Sequence, residues 1–245
     1  MEIINAQGLS YQTLNESIRR LLDNGCNELV LKGVNGQRYI GTGIQSKARM
    51  EIYGVPGNNL GALMDGPEIE VFNNAQDGVG NTMNEGTLIV HGSTADITGY
   101  SMRGGRIFIR GDVGYRVGIH MKAFREKNPL IVIGGKAGDF LGEYMAGGTL
   151  VLLGLDLKPD EDIVGNFVAT GMHGGEIFIR GHIDPAVLGK EVKAVKPTKE
   201  DDNRLRQIIG DFSNYFDVKA EKILDYPFTK LIPYNKRPYG TLYAY

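Results

Sequence analysis

Methionine recurs at a regular spacing, and this regularity limits the possible folds more than any other feature of the chain. The first three gaps are 19 residues each, and the later two are 24 and 27. Insertions after Lys122 and Gly154 account for the longer gaps. A period near 19 residues is typical of a repeat protein in which each turn packs on its neighbours. Six of the eight methionines share the spacing: Met64, Met83, Met102, Met121, Met145 and Met172.

Short apolar runs and glycines repeat in phase with the methionines. Thirty-five of the 245 residues are glycine, about twice the usual share. A run of four or five residues spans about 15 Å as a strand, and glycine accepts the positive φ of a sharp corner. The repeat predicts a mainly β fold, a single-stranded right-handed β-helix of about seven to eight coils of about 19 residues. The apolar runs are 69–72, 88–90, 107–109, 130–133, 150–153 and 177–179.

Stacked coils place equivalent residues in columns. The methionines should form an inward column that fills the axis. Aspartate or asparagine occurs three residues before a repeated glycine, and we expect this column at a corner, bonding backbone amides in Asx-type turns. The column comprises Asn58, Asp77, Asp96, Asp139 and Asn166.

A parallel βαβ fold is the rival architecture. It needs a crossover of about a dozen residues between strands, usually a helix. The segment between Val90 and Ile107 contains four glycines and no helical period. The sequence therefore favours the β-helix.

Both ends carry helical patterns that could cover open strand edges. Thr13 and Glu16 have capping-box spacing, which predicts a helix over about 14–24. Thr198 and Asp201 suggest a second cap at the other end. The predicted organisation is an N-terminal capping segment over 1–32, a β-helix over 33–182 and a helical, aromatic extension over 183–245, so the chain has helical extensions at both ends.

The last twenty residues are rich in aromatic side chains. Three prolines argue against regular structure there. The tail either wraps along the flank of its own domain or acts as a docking arm for a partner subunit. The aromatic residues are Tyr226, Phe228, Tyr234, Tyr239, Tyr243 and Tyr245, and the prolines are Pro227, Pro233 and Pro238.

Composition limits the partners and the compartment. The net charge of −2 disfavours nucleic acid and anionic membrane as partners. Cys26 is the single cysteine, so neither a disulfide framework nor a cysteine-rich metal site can form. The N-terminus lacks the pattern of a signal peptide, and no apolar run reaches the roughly 18 residues of a membrane span. We therefore expect a cytoplasmic protein.

Several patterns resemble catalytic or binding motifs. GGRIFIRGDVG resembles a phosphate loop but precedes no helix, and its glycines recur in every turn. Ser101 lies in a segment like a nucleophile elbow, with the wrong glycine spacing. Asp77 and Asp96 should stack about 5 Å apart, as a carboxylate pair would. The interchange of aspartate and asparagine along their column favours a turn-capping role instead.

Basic and histidine side chains are scattered over different phases of the repeat. Histidines in different phases should not converge on one metal ion. The arginines form either a solvated face or an interface. The sequence therefore predicts no catalytic, cofactor-binding or metal-ligating residue, and no cofactor. The residues are His91, His120, His173, His182, Arg103, Arg106, Arg110, Arg116 and Arg180.

The segments GNTMNEGTLIVHG, GYSMRGGRIFIRGDVGYRVGIHM and GDFLGEYMAGGTLVLLG resemble the GXGXG domain. That domain forms the C-terminal part of the large subunit of glutamate synthase, and a related domain forms one of the subunits of formylmethanofuran dehydrogenase. The resemblance covers roughly Gln37 to Gly181. It implies a β-helix without catalytic residues that holds a glutaminase module against a flavin-containing synthase module, in ammonia assimilation.

The chain lacks the cysteine nucleophile and the FMN/iron–sulfur domain of the large subunit. The resemblance therefore implies a free-standing, non-catalytic scaffold subunit. Its partners would be a glutamine amidotransferase subunit and an FMN/iron–sulfur glutamate synthase subunit, with a homo-oligomer also open. The equivalent subunit of formylmethanofuran dehydrogenase or N-methylglutamate synthase is an alternative. A β-helix hydrolase or lyase acting on carbohydrate is an alternative from another class.

Overall fold

The computed structural model describes residues 1–158 and 160–234. Short strands dominate this part of the chain, and helices lie near its two ends. The strands are β1 (Glu2–Asn5), β2 (Glu28–Asn35), β3 (Arg49–Val55), β4 (Asp65–Val71), β5 (Glu85–Val90), β6 (Arg106–Ile109), β7 (Leu130–Ile133), β8 (Ala146–Leu152), β9 (Gly174–Arg180), β10 (Val192–Val195) and β11 (Phe228–Pro233). The α-helices are α1 (Tyr11–Asp23), α2 (Lys199–Phe216) and α3 (Ala220–Leu224), and a 3-10 turn spans Pro185–Val187.

All eleven strands belong to one sheet, in the order β1 to β9 and then β11 and β10. Strands β1 to β9 are parallel to one another and follow chain order. Thr87 pairs with Arg106, and Arg106 pairs with Leu130, so each strand lies on its counterpart in the preceding repeat. The prediction of a mainly β stack of repeats is confirmed, as a β-solenoid of about six turns.

The interior is formed by side chains that recur once per turn. All six repeated methionines are fully buried, which confirms the predicted inward column. A second inward column comes from the strands and is also fully buried. Flexible thioethers beside branched aliphatic side chains fill the axis without polar atoms. The second column consists of Ile69, Leu88, Ile107, Ile131, Leu150 and Ile177.

One corner of each turn has an unusual backbone, in which every second residue has positive φ. Around Gly99 (φ 71°), the flanking Ile97 and Ser101 have φ of 53° and 51°. The Gly99 N–H donates to Val79 of the preceding turn, whereas Ile97 and Ser101 donate to Tyr115 and Ile119 of the next turn. Because φ alternates in sign, the backbone N–H groups of a corner segment donate by turns to the preceding coil and to the next coil. These corner segments span 39–43, 59–63, 78–82, 97–101, 116–120, 140–144 and 167–171.

The central glycine of a corner segment has two reasons to be glycine. Its positive φ is costly for other residues. A Cβ at Gly41 or Gly99 would also collide with Ile69 Cδ1 or Ile131 Cδ1, because the missing side chain points into the core. By contrast, a Cβ at Gly43, two residues after Gly41, would meet no atom within 4 Å.

The aspartate column does cap backbone amides, but not in Asx-type turns of its own coil. Asp77 Oδ1 accepts from the Asp96 N–H at 3.1 Å, and Asp96 Oδ1 accepts from the Tyr115 N–H at 2.8 Å. Asp139 Oδ1 accepts from the Asn166 N–H at 2.7 Å. The expectation of local turns was wrong, because stacking brings the amide of the next coil within reach of each carboxylate.

The N-terminal helix begins earlier than the sequence predicts. Ser10 is the N-cap of α1, and its Oγ accepts from the Thr13 N–H at 3.1 Å. The proposed Thr13–Glu16 capping box was therefore wrong, because Ser10 meets the same requirement one turn earlier. Leu14 and Ile18 are buried in the main core, so α1 packs on the first turns.

The C-terminal elements pack on the outside of the solenoid. The predicted capping box of Thr198 and Asp201 is confirmed at the start of α2. A second apolar core joins the outward side chains of β6 to β9 to one face of α2. Its fully or nearly fully buried members are Phe108, Val132, Val151, Leu153, Phe178, Leu205, Ile209, Phe212 and Ile223.

The expectation of no regular structure among the C-terminal prolines was wrong for residues 228–233. Strand β11 pairs antiparallel with β9 on one side and with β10 on the other. Pro227 precedes the strand and Pro233 ends it, so neither interrupts its interior. Of the predicted aromatic tail, Pro238, Tyr239, Tyr243 and Tyr245 lie outside the described residues.

Candidate interaction surface

The polar residues considered as catalytic candidates are engaged in holding the coils together. Asp77 and Asp96 accept hydrogen bonds from backbone amides of the next turn. Ser101 lies in a corner segment with a φ of 51°, and strand β6 follows it rather than a helix. The glycine-rich segment around β6 likewise leads into another corner segment. Neither segment lies between a strand and a helix, which is the setting that a nucleophile elbow or a phosphate loop requires.

The four histidines lie in separate surroundings. His91 Nε2 is 2.9 Å from Glu70 Oε1, and its ring stacks on Phe72. His173 Nδ1 is 3.2 Å from the Gly171 carbonyl. Among residues 1–158 and 160–234, no three histidine, cysteine, aspartate or glutamate side chains gather closely enough to bind a metal ion.

Most of the arginines noted in the sequence have partners on the flank of the solenoid. Arg106 pairs with Asp211 of α2 at 3.0 Å, and Arg116 pairs with Glu143 at 3.0 Å. These pairs include exposed side chains, so each contributes little to stability. Arg110 pairs with Asp156 at 2.6 Å.

Arg180 is held in a different way, by backbone carbonyls. Its Nε donates to the Ile223 carbonyl at 3.1 Å, and its guanidinium lies over the Tyr226 ring at 4.0 Å. Burial lowers the pKa of Arg180 from its ordinary value. Arg180 also lines an open cleft of about 600 Å³ between β9 and the α2–α3 connection. The other charged groups of the cleft have both signs, so no single charge of ligand is favoured: Arg110, Asp156, Asp217, Lys219, Lys222 and Asp225.

An ion-pair network joins the start of α2 to the last strands. Lys230 Nζ lies 2.9 Å from Glu176 Oε2 and 2.7 Å from Asp201 Oδ1. Arg204 pairs with both carboxylates. Burial opposes ionisation of Glu176 and Asp201, but hydrogen bonds from Arg204, Lys230 and Thr198 outweigh it, so both pKa values are lowered. The network fixes α2 against β9 and β11.

Aromatic rings form an exposed row on the corner segments. His120 stacks on Tyr144 with ring centroids 5.4 Å apart and planes at 8°. Tyr100 meets the other side of His120 edge-on at 6.0 Å. Tyr100 and Tyr144 remain 37% and 42% exposed, and His120 is exposed as well. We call Tyr100, His120 and Tyr144, with Arg103 and Lys122 beside them, the aromatic corner.

Two residues of the aromatic corner occupy strained backbone. His120 and Tyr144 have φ of 56° and 51°, where a residue with a Cβ loses about 1–2 kcal/mol. Gly43 and Gly171 stand at the same place in other corner segments. The sequence did contain a signal for this placement, because both residues lie two positions after the central glycine of a repeat. Sequence reasoning missed it, because it treated the histidines only as possible ligands.

Two basic residues follow this row closely in the chain. Arg103 and Lys122 each follow an inward methionine, two residues after Ser101 and His120. Within the described residues, neither side chain forms an ion pair, and the buried Arg103 Nε has no hydrogen-bond acceptor. Exposed aromatic rings with arginine are typical of protein–protein interfaces. This corner is therefore the candidate interaction surface.

A second aromatic stack runs along the ends of three strands. Tyr53 stacks on Phe72 at 4.7 Å, and Phe72 stacks on His91 at 4.9 Å. Phe216 at the end of α2 meets His91 edge-on at 5.2 Å. The chain's own helix thus completes this second stack.

The class of protein is defined by the stack of parallel strands and the alternating corner segments: a β-solenoid built from glycine-rich repeats. The family model described as GXGXG motif matches residues 26–234. The chain therefore belongs to the GXGXG family, as the resemblance implied. In its corner segments, positive φ falls on positions i, i+2 and i+4.

Two known proteins show the extent of the similarity. An uncharacterized protein of Methanocaldococcus jannaschii is 50% identical, over 99% of this chain and 96% of its own length. The fold is similar to a chain in the crystal structure of a formyltransferase/hydrolase complex from Methylorubrum extorquens with methylofuran. That likeness has a TM-score of 0.61 and 20% identity, and covers 91% of this chain and 87% of the other.

Within the part of the chain that the structure describes, no helix is both long and apolar enough to cross a membrane.

Proposed function

We propose that this protein is a non-catalytic scaffold subunit of a glutamate synthase-type complex. It would hold a glutamine amidotransferase subunit and an FMN/iron–sulfur synthase subunit in position for ammonia assimilation. The observation that carries the proposal is membership of the GXGXG family over residues 26–234. The matching segments quoted from the sequence favour the glutamate synthase branch of that family.

The surface chemistry supports a scaffold. Carboxylates at the corners cap backbone amides of the next coil, which leaves them unsuited to transfer protons to a substrate. Exposed aromatic rings instead line one corner of the stack. Such rings stabilise protein interfaces more than most other side chains do.

Co-purification tests this function. The tagged full-length chain would be recovered from its native host, and its partners identified by mass spectrometry and flavin absorbance. We expect the amidotransferase and the FMN/iron–sulfur subunit in stoichiometric amounts. Recovery of the chain alone, from cells that contain both subunits, would exclude the proposal.

A second candidate is the equivalent subunit of a formylmethanofuran-related complex. The fold likeness to the formyltransferase/hydrolase complex supports it. A subunit of an N-methylglutamate synthase is the third candidate. The same purification separates them, since a molybdenum or tungsten subunit would indicate formylmethanofuran dehydrogenase, and an N-methylglutamate product would indicate the third.

A carbohydrate hydrolase or lyase is the alternative from a different class. It would need carboxylates that face a substrate cleft. Asp77→Asn and Asp96→Asn should then abolish activity on polysaccharides. With a scaffold, no such activity is expected, and both variants should fold normally because asparagine Oδ1 also accepts from an amide.

The scaffold proposal includes the organisation of the chain. We infer a right-handed solenoid over 33–182 with about seven to eight coils of about 19 residues. Residues 1–32 cap one end, and 183–245 form the C-terminal extension. We also propose a cytoplasmic location with protein partners, and neither nucleic acid nor membrane.

A further inference from the structure

We propose that the open edge of β1 pairs antiparallel with the β1 of a second copy of this chain, about a two-fold axis at Ile3. The pairing joins two solenoids end to end and merges their eleven-stranded sheets into one. The inference goes beyond the proposed function and does not depend on it. In a scaffold, this interface would bring two copies of each bound subunit into one assembly.

The backbone of β1 has unused hydrogen-bonding groups on its free side. The Ala6 N–H donates to the Lys32 carbonyl of β2 at 2.7 Å. Successive residues of a strand direct their backbone groups to opposite edges, so Ile4 and Ala6 face β2, whereas Ile3 and Asn5 face away. Within residues 1–158 and 160–234, β1 pairs with no strand other than β2. Ile3 and Asn5 therefore present N–H and C=O groups to a further strand.

Helix α1 covers another part of this end of the solenoid and leaves the edge of β1 open. Asn15 and Arg19 of α1 donate to the carbonyls of Arg38 and Thr42, in and just before the first corner segment. The helix thus lies beneath that corner. The Ile3 side chain, by contrast, is 57% exposed.

The two edges of the sheet differ in their protection against pairing. Strand β10, at the other edge, contains Lys193 and has Lys190 and Lys196 beside it. Lysine on an edge strand opposes the addition of another strand. Strand β1 contains no lysine. Its length of four residues does not prevent pairing, because β6 and β7 have the same length and pair on both sides.

The pattern of β1 is complementary to itself. With a two-fold axis at Ile3, each Ile3 donates its N–H to the Ile3 carbonyl of the other copy, as in a hydrogen-bonded antiparallel pair. Ile3 lies beside Val30 of β2, so the two copies form one row of four apolar side chains. A two-fold interface closes with two copies. A head-to-tail contact of β1 with β10 would instead extend without limit, and the lysines of β10 oppose it.

The charges beside this row are complementary as well. Glu28 and Lys32 lie on β2, two residues to either side of Val30. The two-fold axis places Glu28 of each copy in line with Lys32 of the other. Glu2 points to the opposite face of the strand and is exposed. The Glu2 residues of the two copies would lie about 8 Å apart, near the screening length at physiological salt, so their repulsion is weak.

Proline substitution at the edge tests the interface. The full-length chain, tagged at its C-terminus, is studied by light scattering and analytical ultracentrifugation at several concentrations. We expect a dimer. Ile3→Pro should raise its dissociation constant about tenfold or more, because both central hydrogen bonds lose their donor. The single chain should still fold, since this N–H faces away from β2. Circular dichroism checks the folding.

The matched control is Ala194→Pro, at the other edge of the sheet. The Tyr234 N–H donates to the Glu191 carbonyl, so alternate residues of β10 face β11 and the Ala194 N–H faces away from it. This variant loses an N–H at an open edge just as Ile3→Pro does. It should leave the dissociation constant of the dimer unchanged.

Disulfide formation tests the register of the pair. Cys26 is the only cysteine, so Cys26→Ser gives a background without thiols. In that background, Ile3→Cys should form a linked dimer on mild oxidation, because opposed residues of this pair have Cα atoms about 5.5 Å apart. Glu2→Cys is the matched control. Its two Cα atoms would be about 8 Å apart, which is too far for a disulfide, and it should stay unlinked.

Several results would overturn the proposal. One is a wild-type chain that stays monomeric at every concentration, and another is a dimer that Ile3→Pro does not weaken. Equal weakening by both proline variants would indicate a head-to-tail contact of β1 with β10. Equal linkage of both cysteine variants would exclude the two-fold register. These measurements include no other subunit, so their failure leaves the scaffold function standing, and recovery of the chain without partner subunits leaves the dimer standing.

Discussion

The central and outer positions of the corner segments share a backbone conformation but differ in what they tolerate. Gly41 and Gly43 have φ of 76° and 65°, only two residues apart. The missing side chain of Gly41 points at Ile69 in the core, whereas that of Gly43 points at open space. Other turns carry histidine and tyrosine at the outer position. Positive φ therefore disfavours a side chain, and the inward direction limits it to at most a methyl group, as at the fully buried Ala169 (φ 59°).

The largest expected effect separates these two positions directly. Gly41→Ala should destabilise the fold by about 3 kcal/mol, from backbone strain plus overpacking. Gly43→Ala should cost about 1 kcal/mol, from strain alone. Urea unfolding of both variants measures the difference. Equal losses would show that the collision with Ile69 contributes nothing.

A methionine and its exposed neighbour extend the comparison to ordinary side chains. Met102→Ala should cost about 3 kcal/mol, because it leaves a cavity in the fully buried column. Tyr100→Ala, two residues earlier and 37% exposed, should cost about 0.5 kcal/mol or less. Thermal unfolding of the pair checks this. A larger loss for the tyrosine would contradict the assignment of inner and outer positions.

Acid should destabilise the second apolar core, between the solenoid and α2, before it destabilises the main core inside the solenoid. The pKa values of Glu176 and Asp201 are lower in the folded chain than in the unfolded chain, by hydrogen bonds from Arg204 and Lys230 that outweigh burial. Their contribution is therefore complete above about pH 5 and is lost as pH falls through the lowered values. The effect is of the order of 1–2 kcal/mol.

Hydrogen exchange of α2 and of the methionine turns, followed from pH 6 to pH 3, measures this loss. We expect α2 to lose protection first, since the inner core contains no titratable group among its described buried members. Lys230→Met is the matched variant, and it should remove much of the pH dependence. Simultaneous loss of protection in both regions would contradict a separate outer core.

The smallest expected effect is a near cancellation. Tyr144→Gly alone should change stability by less than about 0.5 kcal/mol, because relief of backbone strain offsets the loss of the ring's contacts with His120 and Gly171. The midpoint of urea unfolding measures the change. A clear destabilisation would mean that the contacts of the ring with its own chain outweigh the strain.

Repetition is what made the interior predictable from sequence. The 19-residue spacing identified the inward methionines and the strands, because the same structural position recurs in the sequence of every turn. The outer features lacked this support. The capping box at Thr198 followed a local rule and was found, whereas the cap of α1 was placed at Thr13 instead of Ser10 because two residues there satisfy similar rules.

The sequence by itself determined the period, the inward columns and the preference for glycine at one position of the turn, which Ala169 fills in the last copy. Those properties follow from one coil and its repetition. Only the tertiary structure decided which amide each aspartate caps, where β11 inserts beside β9, and which rings remain uncovered. These depend on distances between coils and between distant segments. The aromatic corner is the clearest case, because exposure at a strained backbone position becomes visible only when the turns are stacked.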